Sequence, residues 1–75
     1  MNLKYKMKKY SAVIEKCLQT NSYVAYIPGF SGAHTQAESL EELEFNLTEV
    51  ISMLLEDGEP NLESEFIGTQ ELIFA

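Results

Sequence analysis

The segment from Ser39 to Pro60 dictates most of what this chain can fold into. Ser39-Leu40-Glu41-Glu42 is a capping box: the Ser hydroxyl accepts from the Glu42 N–H while the Glu42 carboxylate returns to the Ser39 N–H, so a helix starts here. Leu40, Leu43, Leu47, Val50, Ile51, Leu54 and Leu55 follow at helical spacing, with Glu41, Glu42, Glu44, Thr48, Glu49, Ser52 and Glu56 between them. That pattern gives one apolar stripe and one acidic face. Gly58 supplies a left-handed cap and Pro60 blocks continuation. At about 1.5 Å per residue, a helix over residues 40–57 is about 27 Å long, enough to lie across three or four strands.

The sequence before the helix has a period of two. Leu3, Tyr5 and Met7 alternate with Lys4, Lys6 and Lys8, and after a phase slip at Lys8 and Lys9 the alternation resumes with Tyr10, Ala12 and Ile14. Residues 1–9 therefore read as a flexible arm or as an edge strand with a bulge. Residues 19–22 are turn-like, and residues 23–27 are β-branched and aromatic, so the two strands form an antiparallel hairpin. Pro28 ends the second strand. A loop around Phe30 follows, then a short third strand over residues 33–37. After the helix, Phe66, Ile67, Thr69, Leu72, Ile73 and Phe74 read as a final strand, with Gly68 at a bulge.

The expectation is an α+β chain of order β-β-β-α-β, with one helix on one face of the sheet. With 75 residues it holds one domain, residues 1–75. One helix covers only one face, yet Ala12, Ile14, Ala25 and Ile27 alternate with Val13, Val24 and Tyr26, so both faces carry apolar side chains. Burying three or four of these is worth on the order of 5 kcal/mol. A second protein or a second copy is expected against the sheet, making the chain a homo-oligomer, a dimer or higher.

The net charge of −7 is unevenly spread. Lys4, Lys6, Lys8, Lys9 and Lys16 are the only cations, and eleven of the twelve carboxylates lie from Glu38 onward. An acidic C-terminal half repels phosphate backbones and attracts basic partners, which argues against direct nucleic-acid binding. No stretch approaches the length of a membrane span. The lone Cys17 and a Lys-rich N-terminus without an apolar run lead to the expectation of a reducing, cytoplasmic setting.

The inventory for catalysis is thin: one His, one Cys, no Arg, no Gly-rich phosphate loop, no Cys pair and no His pair at helical spacing. Cys17 with His34 would lack a visible orienting group. Acids spaced along a helix usually form its solvated side rather than a metal site. The expectation is no enzyme, no cofactor and no metal.

Val24-Ala25-Tyr26-Ile27-Pro28, then Gly32-Ala33-His34-Thr35-Gln36, then Ser39-Leu40-Glu41-Glu42-Leu43 resembles, in order and spacing, the HicB family of antitoxins. Glu65-Phe66-Ile67-Gly68 is similar to that family's terminal strand, so the resemblance covers residues 10–74. Ala33 and Ala37 stand where the family has Cys and a second Gly, and Ser39 stands for Thr. The resemblance implies a partial ribonuclease-H-like fold, an antiparallel meander whose last strand lies beside the first. It implies a partner, the HicA toxin, a small basic mRNA-cleaving ribonuclease whose active surface the antitoxin covers. The C-terminal DNA-binding domain of full-length members has no counterpart in these 75 residues. Candidate toxin contacts are Tyr26, Phe30, His34, Gln36, Glu41, Glu42 and Glu49. The alternative is an orphan oligomeric module that holds another protein or a small ligand.

Overall fold

The structure is a computed structural model that describes residues 8–75. The Leu3, Tyr5 and Met7 alternation lies outside the described residues. Strands β1 (Val13–Lys16), β2 (Tyr23–Tyr26) and β3 (His34–Ala37) form an antiparallel meander in the order β1-β2-β3, followed by helix α1 (Leu40–Leu55). The α+β class is as expected.

The first strand sits later than its alternation predicts. Pro28 cannot donate to a ladder, so pairing runs from Tyr26, opposite Val13, to Tyr23, opposite Lys16. The connection between them closes with Cys17 N–H donating to the Ser22 carbonyl at 2.8 Å and Asn21 N–H to the Cys17 carbonyl at 2.7 Å. Asn21 takes a left-handed φ of 63° there, a conformation Asn tolerates better than most residues.

Two consecutive turns join β2 to β3. Phe30 N–H donates to the Ile27 carbonyl and Ala33 N–H to the Phe30 carbonyl, both at 3.1 Å, with Gly29 and Gly32 at the left-handed third positions. This double reversal turns the Phe30 ring inward. It packs beside Tyr10, ring centroids 5.5 Å apart, in a cluster with Ile27, Ala33, Ile51 and Leu54.

Helix α1 is capped as predicted at Ser39, whose hydroxyl accepts from Glu42 N–H at 3.1 Å. The Glu42 carboxylate accepts instead from the Glu38 N–H, at 3.3 Å, one residue earlier than a capping box places it. Only Glu38 and Ser39 separate the end of β3 from the helix, so α1 must start over β3. It packs on β3 and β2 and does not reach β1. Leu43 and Leu47 bury against Ala25 and Ala37, and Ile51 joins this cluster to the one around Phe30.

The predicted final strand is absent. Residues 66–74 pair with nothing in the described chain, and Ile67, Leu72, Ile73 and Phe74 are exposed. A strand exists only through a ladder partner, and the chain is fastened instead at Gly29, with Glu65 and Phe66 beside Lys9, Tyr10 and Ser11 ahead of β1. The Glu63 N–H donates to the Gly29 carbonyl at 3.0 Å, and a Cβ at position 29 would lie 2.3 Å from the Ser64 carbonyl oxygen.

Candidate interaction faces

Side chains alternate across a strand, so the burial of Ala25 and Ala37 under α1 sends their neighbours to the other side. The register then assembles two rows on the open face: Val13, Tyr26 and His34 in one, Glu15, Val24 and Gln36 in the next. Tyr26, His34 and Gln36 are exposed, while Val13 and Val24 are half-buried. Three of the expected contact residues are thereby brought together. Tyr26 stands directly opposite His34 in the β2–β3 ladder.

Glu41, Glu42 and Glu49 are also exposed, but on the side of α1 turned away from the sheet. They share that surface with Phe45, 62 % exposed, and Met53, 65 % exposed. Phe45, Thr48, Glu49, Ser52 and Met53 enclose a shallow depression of about 260 Å³. The sequence held a signal for it: Phe45 and Met53 are eight residues apart with Glu49 midway, a separate ridge out of phase with the buried stripe. The expected contacts thus occupy two opposite surfaces, with the helix and the sheet between them. One flat partner cannot cover both.

Phe30 is a correction. It is 8 % exposed and belongs to the core, because the Pro28-Gly29 and Ser31-Gly32 turns aim it inward, so it is not available as a contact.

Among the described residues no group of three or more His, Cys, Asp or Glu side chains is placed to hold a metal ion. No helix among them is long and apolar enough to cross a membrane. Cys17 and His34 lie on opposite ends of the meander, at the exit of β1 and the start of β3. The Cys17 thiol is pushed below its ordinary range, first by the Thr20 hydroxyl and then by the backbone N–H groups of Thr20 and Gln19. The described lysines are Lys8, Lys9 and Lys16, and Lys8 pairs with Glu59 across exposed surface.

No known family model matches the chain, and no solved structure is significantly similar to it. Three proteins are similar in sequence, each called a UPF0150 protein. That of Archaeoglobus fulgidus is 42 % identical over 83 % of this chain and 88 % of its own length. That of Thermotoga maritima is 38 % identical over 84 % of this chain and 85 % of its own. The Synechocystis protein is 37 % identical over 68 % and 74 %. The chain belongs to the UPF0150 family.

In this UPF0150 chain the helix leaves a third surface, a cleft where α1 stops short of β1. Tyr10, Ala12 and Ile14 form one wall, and Leu40, Glu44 and Ile51 contribute to the other, around a volume of about 410 Å³. The cleft is mainly apolar and has no cluster of ionisable groups. What this third surface of the UPF0150 protein presents is an apolar lining.

Proposed function

We propose that this UPF0150 protein is a HicB-like antitoxin module. It neutralises a small basic HicA-like mRNA-cleaving toxin in the cytoplasm by covering the toxin's active surface, and it performs no chemistry of its own. The observation that carries this reading is the outer face of α1, where Glu41, Glu42 and Glu49 surround exposed Phe45 and Met53 and no cation lies on the helix. An aromatic anchor within a charged rim is a common construction of protein interfaces. The carboxylates select a basic partner and raise the rate of encounter more than the final affinity. The three-stranded antiparallel meander followed by a helix is compatible with a partial ribonuclease-H-like fold, which adds support. Tyr26, His34 and Gln36 lie on the far side of the sheet and are left, in this reading, for other contacts.

The test is association of the full chain with a HicA-type toxin, followed by stopped flow at several salt concentrations. Glu41→Lys/Glu49→Lys slows association at least about 10-fold at low salt, and the difference narrows as salt screens the charges. The thermal midpoint moves by less than about 4 °C, because both residues are exposed. Phe45→Ala speeds dissociation. Equal association rates for wild type and the charge variant at low salt, or growth arrest by the toxin that co-expression does not relieve, would reject the reading.

A further inference from the structure

Ile14 lies on the same side of the sheet as the buried Ala25, directly across the β1–β2 ladder, yet it is 55 % exposed. The helix does not reach β1, so this side of the first strand borders the apolar cleft of about 410 Å³. Among the described residues nothing pairs with the outer side of β1, which is a sheet edge. The same chain carries a matching unpaired element. Residues 66–74 are rich in β-formers, with Phe66, Leu72 and Phe74 falling on one side of an extended strand and Ile67 and Ile73 on the other. Ile73 and Phe74 are 97 % and 85 % exposed. An unpaired strand edge and an apolar strand without a ladder are both unfavourable in water, and one contact removes both.

We infer that the two meet between copies: residues 66–74 of one chain add to the β1 edge of a second and set Phe66, Leu72 and Phe74 toward its cleft, reciprocally, in a two-fold dimer. The occupant is a second copy because each chain's own tail is present yet forms no ladder with its own β1: Ser64, Glu65 and Phe66 come beside Lys9, Tyr10 and Ser11, and the residues beyond them run on unpaired. Charge agrees with this choice. Lys9 precedes β1 and Lys16 ends it, outnumbering Glu15 within the strand, while Glu65 and Glu71 lie on the tail. Nine extended residues reach about 30 Å, longer than β1 itself, so the pairing has room to run on past the cleft toward Tyr10. The exchange is isologous, so the same two surfaces are buried twice around the axis. It involves neither the outer face of α1 nor the toxin, and it stands or falls separately from the antitoxin reading.

Sedimentation of the full chain tests it. Wild type sediments at micromolar concentration as twice the 8.5 kDa chain mass. Leu72→Asp/Phe74→Asp raises the dissociation constant at least about 100-fold, as loss of two buried apolar contacts per tail requires, and Ile14→Asp does so from the cleft side. Both sites are exposed in the single chain, so circular dichroism stays unchanged. Mixing the two variants restores a dimer, because one intact tail then meets one intact cleft. A wild-type monomer, whether its tail stays free or folds onto its own edge, overturns the inference. So does a dimer that survives both variants, or variants that fail to complement.

Discussion

The backbone of Ser64 occupies the space in which a side chain at Gly29 would begin. A Cβ there would lie 2.3 Å from the Ser64 carbonyl oxygen and 2.4 Å from its nitrogen. Gly29 also has a φ of 79°, so the position is closed to other residues on two independent grounds. Gly29→Ala is expected to release the segment around Ser64 and lower stability by about 2 kcal/mol or more. Gly32→Ala shares the left-handed backbone but meets only the flexible end of Leu54 at 3.5 Å, so it carries about 1–2 kcal/mol of backbone strain alone. Thermal unfolding of both variants, with limited proteolysis around residues 60–66, checks the contrast. Equal losses and equal cleavage would mean that the Ser64 contact adds nothing.

Leu43 is the largest fully buried side chain, 1 % exposed. Leu43→Ala should cost about 2–5 kcal/mol, a large share of the roughly 4–11 kcal/mol that a chain of this length holds. Leu40→Ala, one turn earlier on the same apolar stripe but 54 % exposed, should cost less than about 1 kcal/mol. Urea titration of the two variants separates them. Similar midpoints would show that the core does not centre on Leu43.

The Ser39 cap is predicted to contribute about 1 kcal/mol, since its hydroxyl satisfies the Glu42 N–H. Ser39→Ala loses this and Ser39→Asp retains it, and both are read from the denaturant midpoint. A neutral Ser39→Ala would indicate that solvent replaces the cap at no cost.

The Cys17 thiol, lowered chiefly by the Thr20 hydroxyl, should alkylate faster near neutral pH in the folded chain than in denaturant. Thr20→Val removes the first donor and shifts the rate–pH curve upward. A depressed thiol pKa favours the folded thiolate, so this contribution to stability is present above the unfolded thiol's pKa and is lost as pH falls through the folded value. Iodoacetamide rates measured from pH 6 to 10 check it, and coincident curves for wild type and Thr20→Val would contradict the assignment.

Local rules were legible where the signal is local. The Ser39 cap, the stripe through Leu43 and Leu47, and the stop at Pro28 are all written within a few residues of their effect. The position of β1 was not, because it depends on which residue stands opposite Tyr26, a fact about another strand. Phe30 was misread for a similar reason: its direction follows from two turns acting together, and polar neighbours in a loop disguise a core residue. The spacing of Phe45 and Met53 about Glu49 marks a second ridge, but nothing in the helix pattern says whether that ridge meets the sheet or solvent. The pattern in residues 66–74 reads as a strand, but a strand needs an edge to join, and the sequence does not say to which chain that edge belongs. Among the expected contacts, Tyr26, His34 and Gln36 needed only alternation and register to be grouped. Their separation from Glu41, Glu42 and Glu49 required knowing which face the helix covers.

The two-residue link from β3 to α1 also sets how the molecule comes apart. With the helix fastened over β3 and β2 and stopping short of β1, β1 is the edge strand that the helix leaves uncovered. Deuterium should enter the β1 amides first and those of β2 last, so the strand nearest to fraying is the one a newcomer could most readily join.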